Sequence, residues 1–457
     1  MPDLSQIVKA YDVRGTVPDQ LNADVARALG AAVVTVTGAT KLVAGHDMRE
    51  SGPELLDAFA EGVLSQGADL VSIGLASTDL LYFASGHLDL PGAMFTASHN
   101  PARYNGIKLC RAGAQPIGQD SGLVDIRVAA QSYLDGQAPV AAGTVGTRSE
   151  VNLLCGYAEY LRSLVDLSGS RRLKVVVDAG NGMAGYTVPA VLGDQLLPAL
   201  PLDIVELYFE LDGNFPNHEA NPLEPANLVD LQKAVIAEGA DIGLAFDGDA
   251  DRCFFIDADG NAVSPSSVTA LVAVRELAKS PGSPVIYNLI TSRAVPEVIS
   301  EHGGVPIRTR VGHSFIKARM AETGAVFGGE HSAHYYFRDF WRADTGMLAA
   351  MHVLAALGEQ QGSLAELTAG YARYSASGEI NSEVVDQQAR VAAIREHYVA
   401  QGATVDTLDG LTLSLPDGSW LNVRASNTEP LLRLNVEAAN TADMTAIRDE
   451  ALEIIRG

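Results

Sequence analysis

Ser98 is the first residue in this sequence whose type and surroundings could support chemistry. It follows a short apolar segment, residues 92–97, which predicts a buried parallel strand, and Asn100-Pro101 should then turn the chain away. The sequence therefore predicts an exposed hydroxyl on a loop at the carboxyl end of a strand. Open α/β sheets place ligands and reacting groups at that edge. A serine in such a setting can also be an ordinary turn residue.

Three carboxylates, Asp247, Asp249 and Asp251, alternate along a second loop between two apolar segments. Clustered carboxylate oxygens bind Mg²⁺ or Ca²⁺. An EF-hand frame starting at Asp247 is excluded, because it needs Gly and Glu where this chain has Arg252 and Ala258. Three carboxylates are too few to cage Ca²⁺ fully. They fit better a Mg²⁺ that also binds a phosphate oxygen. The alternative is a solvated acidic turn.

Residues 424–430, Arg-Ala-Ser-Asn-Thr-Glu-Pro, combine a guanidinium, two hydroxyls, an amide and successive backbone N–H groups in one turn. Arg424, Ser426, Asn427 and Thr428 are therefore predicted to form a phosphate cradle. A polar β-turn is the alternative.

Glu330, Ser332 and His334 alternate in residues 328–334, so their side chains could face one way, as recognition of sugar hydroxyls requires. A buried, hydrogen-bonded histidine is the other interpretation of His334. Arg14 and Lys108 are further basic candidates, although isolated basic residues are usually solvated.

The elements that position these loops follow an alternation of strand and helix, which is typical of α/β domains. In three successive units an apolar strand runs into a polar loop, after Phe95, Phe246 and Phe327, so the three loops should be equivalent although no literal repeat is visible. A hairpin turned near Gly418, a further strand and an amphipathic helix then predict a small α+β domain. The predicted domains are 1–147, 148–255, 256–370 and 371–457.

Composition and charge restrict the classes of function. The net charge of −24 over 457 residues argues against nucleic acid and against an anionic membrane as partners, because both require a basic face. No apolar run approaches the roughly 18 residues of a membrane span. We expect a cytoplasmic enzyme whose three cysteines, Cys110, Cys155 and Cys253, are reduced core residues.

The order and spacing of four motifs resemble those of the α-D-phosphohexomutases. The motifs are Thr-Ala-Ser-His-Asn-Pro at 96–101, Asp-Gly-Asp-Ala-Asp-Arg at 247–252, Gly-Glu-His-Ser-Ala-His at 329–334 and Arg-Ala-Ser-Asn-Thr-Glu-Pro at 424–430. The likeness covers essentially the whole chain. The last motif is similar to that of the bacterial phosphomannomutase/phosphoglucomutase branch, whereas phosphoglucosamine mutases tend to carry Arg-Pro-Ser-Gly-Thr.

The resemblance implies that Ser98 carries a phosphoryl group and that Mg²⁺ is bound by the three aspartates and one phosphoserine oxygen. It also implies four domains around a central cleft. Lys108 and His334 become candidate proton-transfer groups, while Arg14 and Arg252 would stabilise the moving phosphoryl group. Hexose 1,6-bisphosphate would be both intermediate and activator.

Two further residues, Tyr11 and His313, are implied to lie near the sugar phosphate. Two others depart from the family pattern: Ile290 stands where some bacterial members have lysine, and His331 replaces the more frequent Met or Gln. The preferred sugar is therefore open between mannose, glucose and glucosamine phosphates.

The implied activity is reversible exchange between 6-phospho and 1-phospho hexoses, of mannose and/or glucose. A phosphoglucosamine mutase, a catalytically silent sugar-phosphate sensor and a metal-dependent phosphatase that uses Ser98 are the alternatives. The sequence leaves the oligomeric state, monomer or dimer, and the pathway open.

Overall fold

A computed structural model describes residues 3–137, 139, 143–425 and 431–457, with the backbone alone at His313. The chain forms two compact units. The first contains Met1–Val263 and Ser332–Leu367, and the second contains Ser264–His331 and Thr368–Gly457.

The first sheet of the first unit is built from the amino-terminal elements. These are β1 (Val13–Thr16), α1 (Ala23–Thr37), β2 (Lys41–His46), α2 (Gly52–Ser65), β3 (Asp69–Leu75), α3 (Thr78–Leu88), β4 (Gly92–Phe95), β5 (Tyr104–Arg111), β6 (Gln115–Pro116), α4 (Leu123–Leu134) and β7 (Arg148–Glu150). The strand order is β1-β5-β4-β2-β3-β7, with β6 beside β5. Strand β2 is parallel to β3 and β4, whereas β5 is antiparallel to β4.

Local sequence explains why these elements form where they do. The Asn22 side chain caps α1 by accepting a hydrogen bond from Val25 N (3.1 Å), and the helix ends at Gly38 with φ of 67°. A Cβ at Gly30 would lie 2.1 Å from the carbonyl oxygen of Phe59, so only glycine lets α1 approach α2 this closely. All four residues of β4 are buried, as expected of a strand covered on both faces.

The second sheet repeats the strand order of the first. Its elements are α5 (Leu154–Leu164), β8 (Leu173–Asp178), α6 (Ala184–Val191), β9 (Leu202–Leu207), α7 (Val229–Glu238), β10 (Ile242–Phe246), β11 (Cys253–Asp257) and β12 (Ala262–Val263). The order is β12-β11-β10-β8-β9, in which β8 is parallel to β9 and β10, and β11 is antiparallel to β10. The neighbours β3-β2-β4-β5 of the first sheet thus correspond to β9-β8-β10-β11 of the second, and the last of the four strands is antiparallel in both.

A third α/β segment opens the second unit. It comprises α8 (Pro265–Lys279), β13 (Pro284–Asn288), α9 (Ala294–Glu301), β14 (Val305–Thr309), α10 (His313–Thr323) and β15 (Phe327–Gly329). Strand β13 is parallel to both β14 and β15, which gives the same neighbours again. The predicted similarity of the three α/β segments is confirmed. Residues 332–367 then contribute β16 (Tyr335–Phe337), β17 (Ala343–Asp344) and α11 (Gly346–Gly358) to the first unit, and α12 (Leu364–Ala369) follows.

The carboxyl-terminal part of the second unit is the predicted small α+β domain. It contains β18 (Ser375–Ala376), β19 (Ile380–Glu383), α13 (Gln387–Ala400), β20 (Thr404–Asp406), β21 (Leu411–Ser414), β22 (Trp420–Ala425), β23 (Leu431–Ala438) and α14 (Thr441–Arg456). The sheet order is β18-β23-β22-β21-β20, with β19 beside β23. Strands β21 and β22 form the predicted hairpin, where Gly418 has φ of 88°.

Two expected domain boundaries fall inside a sheet. Strand β7 begins at residue 148 but pairs with β3 of the first sheet, and β11 spans residue 255 and continues into β12. The first two sheets therefore extend a few residues beyond the ends that composition suggested. Residues 256–370, expected as one domain, are divided between the two compact units. The boundary expected after residue 370 stays a prediction.

The cysteines differ from expectation in one case. Cys110 and Cys253 are buried, but Cys155 is exposed, because the first turn of α5 presents it to solvent. Among the described residues, no helix combines the length and the apolarity that a membrane span needs.

Candidate active site

Ser98 lies on the loop that follows β4, as predicted, but it is not exposed. Only 5% of the residue is accessible, and its φ of 50° lies in the left-handed region that residues other than glycine seldom adopt. Its Oγ donates a hydrogen bond to Asp247 Oδ2 (2.8 Å), and Arg252 Nη2 donates to the same Oγ (3.2 Å). The serine hydroxyl is thus placed between a carboxylate and a guanidinium.

The loop after β10 covers Ser98, which explains the burial. A Cβ at Gly248 would lie 2.5 Å from the carbonyl oxygen of Ser98, so glycine is required for the two loops to approach. Backbone hydrogen bonds from Met183 N to Gly248 O (2.8 Å) and from Thr78 N to Asp249 O (3.0 Å) fix the second loop. The two loops follow β4 and β10, which occupy equivalent positions in the repeated strand order.

The three carboxylates of the second loop form one buried cluster. Asp247, Asp249 and Asp251 offer oxygen atoms that all lie within 4.8 Å of one another. One oxygen of Asp249 and one of Asp251 are buried and receive no hydrogen bond from any described residue. Such oxygens are stable only if a cation compensates their desolvation, and hard oxygen ligands suit Mg²⁺ or Ca²⁺. The cluster could therefore bind a metal ion, as the sequence predicted.

Lys108, at the middle of β5, is a largely enclosed ammonium with 14% of its side chain exposed, and not a solvated surface lysine. Its Nζ donates to Asp249 Oδ2 and to Asp251 Oδ2, each at 2.7 Å. Burial alone would lower the pKa of Lys108, but the two carboxylates raise it well above its ordinary value. Burial would raise the pKa of Asp249, but the ammonium of Lys108 lowers it below its ordinary value. The pKa of Asp247, in contrast, is raised to about 8 by burial and by the neighbouring Asp251.

Arg252 connects the two loops. Its Nε and Nη2 donate to Asp247 Oδ2 at 3.0 and 2.8 Å, and its backbone N donates to Asp247 Oδ1 (3.1 Å). Burial, followed by the charges of Arg252 and Arg14, lowers the pKa of His99 well below its ordinary value. His99 is therefore a neutral imidazole, and its Nδ1 can accept a hydrogen bond from Arg252 Nη2 (2.5 Å).

His334 lies at the edge of the acidic cluster. Its backbone forms an antiparallel bridge with Arg252, and its Nε2 is 3.8 Å from Asp251 Oδ1. The Oγ of Ser332 is 3.0 Å from His334 Nδ1. The ligand atoms of Asp251, His334 and Asp344 also lie within 4.8 Å of one another. The predicted proton-transfer candidates, Lys108 and His334, thus contact the same carboxylate.

Arg14, on the edge strand β1, reaches the serine loop. Its Nη1 donates to Asn100 Oδ1 (2.6 Å), and its Nη2 pairs with Asp12 (2.5 Å). The side chain is 24% exposed, so one side of the guanidinium faces solvent beside the loop of Ser98. Tyr11 is partly buried in the segment before β1.

Glu330 is buried in the second unit and accepts two hydrogen bonds on one oxygen. Asn288 Nδ2 donates at 3.1 Å and Gly312 N donates at 3.0 Å, so Glu330 ties the end of β13 to the start of α10. That helix begins at His313, whose side chain lies outside the described part of the chain. The predicted sugar-recognition segments around Glu330 and His313 are therefore neighbours.

The two departures from the family pattern also lie in the second unit. Ile290 is buried just after β13, where a lysine would need a partner. His331 Nδ1 lies 3.2 Å from Ser266 Oγ at the first turn of α8, and burial lowers the pKa of this histidine. His331 is thus an uncharged imidazole at this position.

Arg424, the next-to-last residue of β22, makes two ionic contacts. Its Nη2 is 3.2 Å from Glu379 Oε2, and its Nη1 is 3.6 Å from Asp409 Oδ2. Asp409 also accepts a hydrogen bond from Val311 N (3.1 Å), which links this strand to the segment before α10. The rest of the predicted phosphate cradle, Ser426, Asn427 and Thr428, lies outside the described residues.

Sequence reasoning missed several residues that contact the site. Arg49 holds the backbone of the serine loop, Thr78 Oγ1 donates to Asp249 Oδ2 (2.6 Å), and Asp344 lies beside Asp251 and His334. Asp47-Met-Arg49 follows the apolar strand β2 directly, which is the same signal that identified Ser98. For Thr78 and Asp344 no local pattern was available, because their partners are far away in sequence.

Known protein families match most of the chain in four parts. Sequence models described as phosphoglucomutase/phosphomannomutase, alpha/beta/alpha domains I, II and III, match residues 5–129, 156–260 and 264–374. The model of the C-terminal domain of the same proteins matches residues 379–454.

Individual relatives extend this similarity over nearly all residues. A protein of Xanthomonas campestris pv. campestris described as "Phosphohexose mutases" is 42% identical over 455 residues, which cover 98% of this chain and 99% of the relative. A phosphomannomutase of Escherichia coli is 39% identical and covers 98% of both chains. A solved structure of a phosphoglucomutase/phosphomannomutase family protein from Burkholderia thailandensis gives a TM-score of 0.88 at 33% identity, covering 100% of this chain and 98% of that one.

Proposed function

The chain belongs to the phosphoglucomutase/phosphomannomutase family, and we propose that it interconverts 6-phospho and 1-phospho forms of mannose and/or glucose. The observation that carries this proposal is the position of Ser98 Oγ, 2.8 Å from a carboxylate of the acidic cluster and 3.2 Å from Arg252. A hydroxyl held between potential metal ligands and a guanidinium is placed to accept and return a phosphoryl group.

Mg²⁺ is the cofactor that the residues fit. It would be held by Asp247, Asp249, Asp251 and an oxygen of phosphorylated Ser98, since one oxygen each of Asp249 and Asp251 is buried without a donor. When bound, the ion would neutralise charge on the phosphoryl oxygens. The hydrogen bond from Thr78 and the ion pairs from Lys108 hold two of these carboxylates in place.

Two arginines would stabilise the phosphoryl group as it moves. In phosphoryl transfer the negative charge spreads over the equatorial oxygens, and fixed cations stabilise it. Arg252 already donates to Ser98 Oγ, and Arg14 contacts the same loop through Asn100. Because Arg252 is anchored on Asp247, its guanidinium needs little reorganisation when the charge develops.

Lys108 and His334 would have the two proton-transfer roles, donor and acceptor. The sugar hydroxyl that attacks phosphoserine must lose a proton, and the serine oxygen that leaves a phosphate ester must be stabilised. The pKa of Lys108 is raised well above its ordinary value by its carboxylate partners, so this side chain is an ammonium that donates. His334, 23% exposed and 3.0 Å from Ser332 Oγ, is placed to accept the proton from the sugar.

The first transfer produces a hexose 1,6-bisphosphate, which must reorient so that its other phosphate returns to Ser98. Glu330, Ser332 and His313 would contact the sugar hydroxyls. The segment from Arg424 to residue 428 would hold whichever phosphate is not reacting. The same bisphosphate would phosphorylate resting enzyme and so act as activator. The cytoplasmic location and the central cleft stay predictions.

The test is phosphorylation and turnover in Ser98→Ala. Intact-mass measurement should find one phosphate on the wild type and none on the variant, and conversion of mannose and glucose 1-phosphates to 6-phosphates should cease. Ser168→Ala, which removes an exposed hydroxyl far from the acidic cluster, is the matched control and should behave as wild type. Mutase activity in Ser98→Ala would overturn the proposal, and glucosamine 1-phosphate assayed alongside resolves the preferred sugar.

A further inference from the structure

Arg49 is among the most completely buried large side chains in the described chain, at 2% exposure, yet it touches none of the groups that would react. It lies just after β2, next to the strand that carries Ser98. A buried guanidinium is costly unless all its donors are satisfied. Its partners therefore indicate what it is for.

The partners of Arg49 are four backbone carbonyls of one loop. Nη2 donates to the carbonyl oxygens of Ser98 (2.9 Å) and Asn100 (2.6 Å). Nη1 donates to those of Pro101 (3.0 Å) and Tyr104 (2.9 Å). One planar guanidinium thus holds the serine loop from Ser98 to Tyr104 at the start of β5.

Two further residues, Asp47 and Phe215, restrain the side chain of Arg49. Asp47 is fully buried, and its Oδ2 lies 3.3 Å from Arg49 Nε in an ion pair without hydrogen-bond geometry, while its Oδ1 accepts a hydrogen bond from the backbone N of Arg49 (3.0 Å). The ring of Phe215, from the second sheet's domain, packs against the guanidinium with its centroid 5.3 Å from Cζ. Arg49 cannot shift without breaking contacts on three sides.

The loop needs such support because of its backbone conformation. Ser98 has φ of 50°, which an L-residue adopts only where its surroundings impose it. Relaxation of this residue would move Oγ away from Asp247 and from Arg252. Convergence of four carbonyls on one cation would oppose that relaxation.

We propose that Arg49 is a positioning residue for phosphoryl transfer, which holds the serine loop in its strained conformation and so aims Ser98 Oγ at the acidic cluster. The inference rests on the proposed transfer through Ser98. Lysine cannot replace the arginine, because a single ammonium cannot reach four carbonyls arranged around a planar fork.

Arg49→Lys is the test, and Arg162→Lys is its matched control. Arg162 also donates to three backbone carbonyls, those of Val191, Gly193 and Pro198, but in a loop remote from Ser98. Both variants should lower the melting temperature. Only Arg49→Lys should lower kcat, by about 100-fold, because small misplacements of reacting groups cost that much, while KM changes by less than about threefold.

A second measurement follows the serine directly. Dephosphorylated enzyme is mixed with glucose 1,6-bisphosphate, and phosphate on Ser98 is followed by intact mass. Arg49→Lys should become phosphorylated about 100-fold more slowly than wild type, and Arg162→Lys at the wild-type rate. Equal rates in both variants, or kcat losses that simply follow the melting temperature in both, would overturn the inference.

If Arg49→Lys does not fold, Asp47→Asn decides the question. It removes the charge opposite Nε but keeps the guanidinium, so kcat should fall by about tenfold with KM unchanged. An unchanged kcat would count against positioning by Arg49. An inactive wild type without phosphate on Ser98 would instead contradict the proposed function, so the two failures can be told apart.

Discussion

At the level of single residues, the candidate active site in the first unit is a set of charges that compensate one another. The three carboxylates of the acidic cluster face the cations Lys108 and Arg252. A divalent cation together with a phosphoryl dianion adds no net charge to the cluster. A phosphoryl group should therefore bind more favourably when the cation is present, because the cation compensates its negative charge.

Asp249→Asn should weaken Mg²⁺ binding and lower kcat together. The substitution removes the negative charge of the Asp249 carboxylate, which Lys108 Nζ (2.7 Å) and Thr78 Oγ1 (2.6 Å) hold in place through its Oδ2. We expect a loss of at least about 10- to 100-fold in metal affinity, the range seen when groups that support a metal site are removed. Mg²⁺ titration of activity and of binding by calorimetry measures both.

Asp257→Asn is the control for the loss of a buried carboxylate. Asp257 accepts hydrogen bonds from Asp259 N and Asn261 N in the β11–β12 turn, away from the cluster. It should lower stability without changing the Mg²⁺ dependence. Activity that survives complete chelation of divalent ions in the wild type would show that the metal assignment is wrong.

The candidate reacting residues could be proposed from sequence because each belongs to a short motif next to an apolar strand. Ser98 and the three aspartates needed only their neighbours to be recognised. Arg49 could not be assigned a role, since its four carbonyl partners gain meaning only when the serine loop is folded around it. Likewise, the exposed hydroxyl expected at Ser98 is buried because a loop from another sheet covers it.

At the level of elements, the order of strands explains why distant motifs meet. In each α/β segment the strand before the candidate functional loop has an equivalent parallel neighbour. Strand β4 lies beside β2 and precedes Ser98, β10 lies beside β8 and precedes the aspartates, and β15 lies beside β13 and precedes Glu330. Alternation of strands and helices predicted this arrangement. The ends of the strands were less predictable: β15 extends through Gly328 and Gly329, which the sequence pattern assigned to the loop.

The amino-terminal end of α3 carries a titratable group with a shifted pKa. Asp79 accepts hydrogen bonds from Ser77 (2.5 Å), Tyr157 (2.7 Å) and Thr345 (2.7 Å), and so joins α3 to α5 and to the start of α11. Burial raises the pKa of this carboxyl from 3.8 to about 6, against the effect of these donors. The folded state therefore keeps a proton that the unfolded chain has lost.

Asp79→Asn should accordingly change the pH dependence of stability. In wild type, the contribution of Asp79 to the free energy of unfolding is most favourable below about pH 4. It falls by about 3 kcal/mol as the pH rises to about 6, because the pKa values of the folded and unfolded states differ by about two units. Asparagine does not titrate. The melting temperature of the variant minus that of wild type should therefore rise between pH 4 and pH 6 and stay level above pH 7. A difference that is flat or falls over this range would contradict the shifted pKa.

At the scale of the whole molecule, the candidate functional residues divide between the two compact units. The first contains Ser98, the acidic cluster, Lys108 and His334, and the second contains Glu330 and Arg424. Sequence composition suggested four domains, but it could not show this division, because it depends on contacts between segments far apart in the chain. Within the second unit, Asp409 contacts both Arg424 and Val311, so the phosphate segment and the sugar segment are linked.

Arg424→Ala should raise KM for 1-phospho and 6-phospho substrates alike, because either isomer must present its non-reacting phosphate to the same site. A lost charge-assisted pair of hydrogen bonds costs about 1.5–3 kcal/mol, or roughly 10- to 150-fold in KM. Free bisphosphate should also accumulate during turnover, since the intermediate is held less firmly. Arg433→Ala is the control: Arg433 pairs with the same Glu379 (3.3 Å) and should leave both KM values unchanged. A defect limited to one isomer would place the distal phosphate elsewhere.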